Sequence, residues 1–267
     1  MYPILFTIGA LNFKTLNLFF VISFLATAFV FWKRGREEHY SEIQLFDGFL
    51  LSYLFGLLIG RLGFILINFS SFEFEIVKWF NMVSFPGFNQ IVQLIATAFY
   101  LFNFAKKKKW DMFEVLDFWA TATSIGMFFV FLGHFFNGSL SGKVTSLPWG
   151  IVFPGAFEKR HPLQIYYALF YCLLFIFQYW SENKYRTFEW YRAGKRSAQT
   201  GFIISVSIIF LSAFSLIMSF ISIPTLVVKN ISLDVLVSLG ALAVGCIFLF
   251  MRSGRKLSFT SKKTIKK

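Results

Sequence analysis

Seven apolar runs, lying at about 16–32, 45–67, 88–105, 115–136, 162–180, 200–222 and 231–251, constrain this 267-residue chain more than any other feature. A helix needs roughly 20 apolar residues to cross a bilayer, and several of these runs approach that length. The chain is 57% hydrophobic and 15% charged, against about 25% charged in a soluble domain. So much apolar surface cannot be hidden in one soluble core of this size. The expectation is an all-α polytopic membrane bundle of seven transmembrane helices. The first run is followed at once by Lys33, Arg34 and Arg36, with no basic segment before it and no small-residue cleavage site after it. It therefore reads as a retained span rather than a signal peptide.

The formal net charge is +13, yet nucleic acid is not the expected partner, because the charges sit between apolar runs rather than along one face. Their placement instead predicts topology. Segments 33–44, 106–114, 181–199 and 252–267 hold 3, 4, 5 and 7 basic residues, whereas 1–15, 68–87, 137–161 and 223–230 hold 1, 1, 3 and 1. By the positive-inside rule the N-terminus lies outside and the C-terminus in the cytoplasm. Residues 1–251 form a single transmembrane domain, followed by a basic cytoplasmic tail, 252–267. The Lys106–Lys109 run is a topology anchor, or a site for anionic lipid head groups. Cys172 and Cys246 lie in different apolar runs without metal or disulfide spacing and read as small core residues. No cofactor and no metal is expected.

Ionisable groups inside a span cost roughly 2.5–3.5 kcal/mol, so each one poses a question. Asp47 and Asp117 fall near cytoplasmic ends and Asp234 near an outer end. No carboxylate pair is placed for a proton relay, and the last span has no lysine for a retinal-type pump. Arg61, between Gly60 and Gly63, sits about six residues below the outer end of its span. It either snorkels to head groups or forms a phosphate-binding fork inside the bundle. His134 and Asn137 share a helix face that ends in Gly138, as a helix stop or as a polar site. Arg160-His161-Pro162-Leu163-Gln164-Ile165-Tyr166 opens the fifth span, with Pro162 suited to the first helical position and His161 at the cap. Phe85-Pro86-Gly87 precedes the third span. All of these fall at the outer half from four different segments, which suggests a site for a lipid head group at the outer surface.

These residues resemble a known family. Arg160-His161-Pro162-Leu163-Gln164-Ile165-Tyr166 resembles the Arg-His-Pro-x-Gln-Leu-Tyr motif of bacterial prolipoprotein diacylglyceryl transferases. Asp117-Phe118 through Gly126, Gly133, Asn137, Gly138 and Gly142-Lys143 resembles that family's signature. Gly60-Arg61-Leu62-Gly63-Phe64 resembles its Gly-Arg-x-Gly-Tyr segment, and Phe6-Thr7-Ile8-Gly9 its start. The resemblance implies transfer of a diacylglyceryl group from phosphatidylglycerol to the lipobox cysteine thiol of a prolipoprotein. A thioether forms and glycerol phosphate leaves, in a bacterial plasma (inner) membrane. Such chemistry needs a base to help form thiolate and donors around the leaving phosphate. The resemblance implies roles for Arg61, Asn137, Gly138, His161, Gln164 and Tyr166.

The chain also departs from the pattern. Phe131 stands for an arginine, His134 for an asparagine, Ser139 for a glutamate and Tyr167 for a glutamate. Pro86-Gly87-Phe88 stands for His-Gly-Gly, and Leu211 falls where the sixth span of the family carries an arginine. His134 as base, with Arg160 and Lys143 as cations near phosphate, are the replacements that the sequence offers. Two readings follow. One is a diverged transferase whose partners are phosphatidylglycerol, the lipobox segment and membrane lipids. The other is a catalytically silent relative that binds phospholipid or prolipoprotein.

Overall fold

The structure, a computed structural model, describes residues 2–9, 11–82, 84–192, 198–224, 227–228 and 231–254. A ribbon of β1 (Ile4–Ile8) and β2 (Leu11–Lys14) leads into α1 (Thr15–Glu37), and α2 (Glu42–Ile67) follows. Short α3 (Phe69–Phe72) and α4 (Ile76–Phe80) precede α5 (Gln90–Lys108) and α6 (Met112–Asn137). A ribbon of β3 (Ile151–Val152) and β4 (Lys159–Arg160) leads to α7 (Leu163–Glu182), then a 3-10 turn and α8 (Glu189–Arg192). Next come α9 (Phe202–Ile221), a ribbon of β5 (Val227–Val228) and β6 (Ile231–Ser232), and α10 (Leu233–Ser253). Each ribbon is an antiparallel pair. Of the predicted tail 252–267, residues 255–267 lie outside the described residues.

The long helices alternate in direction, so the three ribbons share one end of the bundle and the basic loops the other. At the ribbon end, Tyr2 N donates to Phe136 O at 3.1 Å and Lys143 N to Ile221 O at 2.8 Å. At the basic end, Tyr40 Oη donates to Glu114 Oε2 at 2.6 Å and Arg34 pairs with Glu182 at 2.9 Å. Among the described residues six helices, α1, α2, α6, α7, α9 and α10, are long and apolar enough to cross a membrane. The chain is a multi-pass helical membrane protein. The predicted span 88–105 corresponds to α5, whose apolar content is diluted by Gln90, Gln93, Asn103 and the lysines of its last turn.

Helix α6 is the centre, packed by α1, α5, α7 and α9. Helices in lipid associate by close packing rather than by escape from water. Accordingly, a Cβ on Gly126 would lie 2.1 Å from Thr27 Oγ1 of α1. Gly60 brings α2 against α5, where a Cβ would meet Gln93 Cβ at 2.8 Å. That closeness lets Asn89 N donate to Gly60 O at 3.0 Å. The larger apolar core, with Phe31, Leu45, Leu101, Val115, Phe118 and Phe202, includes residues from both sides of the basic-end loops. A smaller cluster of Met127, Phe131, Ala168, Tyr171 and Leu174 lies further along α6 and α7. Beyond it, toward the ribbon end, Gln164 of α7 donates to Ser139 O just past the end of α6.

The basic end is latched by buried polar groups. Asp117 of α6 is 2% exposed, and its carboxylate accepts from Gly201 N at 2.7 Å and Ile204 N at 2.8 Å. It thus caps the first turn of a different helix, α9. Gly201 enters that helix at φ +93°, a conformation glycine adopts freely. Arg252 Nε reaches back from α10 to Thr200 O at 2.7 Å.

Candidate functional site

Helix α6 ends at Asn137, with Gly138 in the left-handed conformation at φ +73°. The turn brings Ser139 back under His134, so that Ser139 Oγ lies 2.8 Å from His134 Nδ1. Asn137 Nδ2 donates to the same hydroxyl at 3.2 Å, and the hydroxyl also lies 3.5 Å from His134 O. Ser139 Oγ is thus shared between His134 Nδ1 and Asn137 Nδ2. Either the imidazole or the hydroxyl donates in this pair, according to the tautomer. The ring is half-buried and meets Phe20 edge-on at 6.1 Å. His134 and Asn137, placed on one face by the sequence, do converge. Ser139, which the sequence offers only as a departure, is the group on which they converge.

The loop from Gly138 to Pro162 folds onto the start of α7 and the end of α9. Gly142 N donates to His161 O at 2.9 Å, and His161 N to Lys143 O at 3.0 Å. Gln164, fully buried, donates through Nε2 to Ser139 O, joining α7 to the His134 turn. Its Oε1 is buried and has no hydrogen-bond partner among the described residues. Trp149 Nε1 donates to Tyr166 Oη at 2.9 Å, and Tyr166 Oη lies 3.3 Å from His161 Nδ1. An indole only donates, so Tyr166 Oη accepts from Trp149, while its contact with His161 Nδ1 runs in either direction according to the tautomer. Trp149 was not expected from the sequence, since an isolated loop tryptophan carries no spacing signal. Pro162 is the residue before α7 rather than its first helical position, and its carbonyl accepts from Ile165 N at 3.0 Å. The one-residue shift places His161 outside the cap.

The cations are more occupied than the sequence suggests. Arg61 is 5% exposed, so it does not snorkel outward. Its guanidinium donates to Trp79 O at 3.1 Å, Gly87 O at 2.9 Å and Lys78 O at 3.4 Å, with Phe72 against its face at 5.1 Å. These bonds tie the α4 segment and the lead-in to α5 onto α2. Lys143 Nζ donates to Phe220 O at 2.8 Å, and Arg160 Nη1 to Gly142 O at 3.3 Å. Arg160 is half-buried and Lys143 exposed.

Three of the departing positions meet. Phe131 stacks on Tyr167 at 4.6 Å between centroids with an 11° angle, and on Tyr171 at 5.6 Å. Leu211 packs against the same cluster. Where the resembled family places charge, this chain places one apolar unit, and His134 stands a turn beyond it, 6.3 Å from Phe131. The departures at 134 and 139 likewise form one hydrogen-bonded pair. Among the described residues no cluster of three or more His, Cys, Asp or Glu is arranged to hold a metal. Cys172 and Cys246 are free thiols.

The family model for prolipoprotein diacylglyceryl transferase matches residues 3–251. A protein of Aeromonas salmonicida (strain A449), named phosphatidylglycerol–prolipoprotein diacylglyceryl transferase, is 33% identical over 195 residues, covering 68% of each chain. A protein of the same name from a Wolbachia endosymbiont of Brugia malayi is 33% identical over 183 residues, covering 65% of this chain and 66% of its own. One from Aeromonas hydrophila is 28% identical over 275 residues, covering 96% of this chain and 92% of its own.

Proposed function

This chain belongs to the prolipoprotein diacylglyceryl transferase family, and we propose that it moves the diacylglyceryl group of phosphatidylglycerol to the lipobox cysteine of a prolipoprotein. The observation that carries this reading is the presence of two imidazoles, His134 and His161, on the turns of α6 and α7 that Gln164 joins. His134 Nε2 takes the thiol proton. The thiolate forms a C–S bond to the terminal glyceryl carbon as the C–O bond to phosphate breaks, and both electrons leave on glycerol phosphate. His161 Nε2–H and the remaining guanidinium donors of Arg160 stabilise the charge on the leaving phosphate, with Lys143 at the exposed rim. Gln164 Oε1 accepts from a glycerol hydroxyl, and Tyr166 orients His161. Asn137 and Gly138 shape the His134 turn. Arg61 positions the loop over the site.

The site faces the outside, and α5 is the seventh span. Its 19 residues rise about 28 Å at 1.5 Å each, close to the roughly 30 Å hydrocarbon core. The excess of Lys and Arg on alternate loops puts the basic end in the cytoplasm and the N-terminus outside. Residues 1–251 form one transmembrane domain of the bacterial plasma membrane, and 252–267 a basic tail. The test uses purified protein in micelles with phosphatidylglycerol and a lipobox peptide, with the peptide weighed by mass spectrometry. A diacylglyceryl mass gain, absent when the peptide cysteine is serine, is expected. No gain beside a working relative would refute the reading.

A further inference from the structure

At the basic end, α7 carries a groove of about 350 Å³ lined by Phe175, Ile176, Tyr179, Trp180, Asn183 and Lys184. Two cations flank it. Lys184 Nζ stands 4.8 Å from the Trp180 ring, and Lys33 Nζ of α1 lies 5.8 Å from the Tyr179 ring. Arg34 also stacks on Tyr179, at 4.3 Å, but it is buried and paired with Glu37 and Glu182. Lys33 and Lys184, in contrast, form no ion pair with a carboxylate among the described residues. Below the groove the lipid-facing stripe continues through Ile176, Leu173 and Leu169, which are 57%, 66% and 58% exposed.

The spacing of Leu169, Leu173, Ile176 and Trp180 follows one face of the helix. From Trp180 to Leu169 the stripe falls about 16 Å at 1.5 Å per residue, about half of the roughly 30 Å hydrocarbon core. It is one leaflet deep. A chain lying on the stripe would end its apolar part at Trp180, a residue suited to the interface, and place its head group between two lysines without a carboxylate partner. Neither a free anion nor a soluble partner needs that depth. We propose that this face binds one acidic phospholipid, its acyl chain on the α7 stripe and its phosphate between Lys33 and Lys184. The leaflet is cytoplasmic under the orientation proposed above, and the binding itself does not depend on the transferase reaction.

The experiment titrates the full-length protein in detergent with phosphatidylserine or with phosphatidylcholine of the same acyl chains, and counts retained lipids by native mass spectrometry. Phosphatidylserine keeps the acidic head group distinct from the phosphatidylglycerol of the reaction. One phosphatidylserine retained about tenfold more tightly than phosphatidylcholine is expected, with the preference lost in Lys33→Gln/Lys184→Gln. The same variant should keep wild-type peptide lipidation, which also shows that it folds. A variant with Lys106–Lys109 changed to glutamine should keep the preference. Equal retention of the two lipids would overturn the proposal as annular contact only. So would a preference that survives in the double variant, or one that disappears with Lys106–Lys109. A protein inactive in lipidation that still shows the preference would refute the transferase reading and leave this site standing.

Discussion

His134 is anchored through Nδ1 to Ser139, which Asn137 also contacts, and in the proposed reaction its Nε2 takes the thiol proton, so its removal should cost what a general base supplies. His134→Ala is expected to lower kcat about 10²- to 10³-fold with little change in KM. Ser139→Ala, which removes only the Nδ1 partner, should cost about tenfold, and the double variant should be no slower than His134→Ala alone. The lipidation assay measures all three. An undiminished rate in His134→Ala would take the base role away from it. At this scale the sequence locates the polar positions well, because His134, Asn137, His161, Gln164 and Tyr166 sit in short, spaced motifs. What it hides is pairing across helices. Phe131 and Tyr167 look like two separate losses, and only packing makes them one stack. The three carbonyls that occupy Arg61 are equally invisible, since backbone acceptors leave no mark on composition.

Arg61 acts on an element rather than on a single contact, because its three acceptors lie in the α4 segment and in the lead-in to α5. A lysine is a point donor and cannot match a spread fork. Arg61→Lys should open the 73–87 segment, with chymotryptic cleavage near Trp79 and Phe80 about tenfold faster, as the loss of one charged hydrogen bond worth about 1.5 kcal/mol implies. An unchanged cleavage rate would show that the fork does not hold the segment. At the other end, Asp117→Ala strands two N–H groups of the α9 first turn. Its expected cost is about 3 kcal/mol, read as a lower melting temperature in detergent, with activity per folded molecule preserved because the site lies at the opposite end. Helices of this kind are legible as apolar lengths. The α7 start is displaced from its expected place by one residue, and the two-residue ribbons leave no trace, because two residues carry no period.

For the whole molecule, direction is the property that the apolar lengths alone leave open. Among the described residues six helices qualify as spans by length and hydropathy, and an even count would put both ends on one side. The proposed seventh rests on α5, where Gln93 packs on a partner helix while Gln90 and Asn103 are exposed. Gln93 packs on Gly60 of α2, and the side chain of Asn89 caps the helix through Val92 N at 3.0 Å. Packed against α2, such groups cost less than the sequence average implies, which is what the proposed crossing of α5 requires. Cysteine labelling decides this in a background with Cys172 and Cys246 replaced by serine. Phe74→Cys, at an 84% exposed position beyond α2, should react with a membrane-impermeant maleimide in cells with a permeabilised outer membrane. Lys109→Cys, at the end of α5, should react only after the inner membrane is opened. Phe157→Cys, at a fully exposed loop position, should behave like Phe74→Cys. Labelling of residues 74 and 109 from the same side would mean that α5 does not cross, and the charge count on alternate loops would then lose its topological meaning. Labelling of all three positions only after opening would reverse the site into the cytoplasm, away from any lipobox already carried across the membrane.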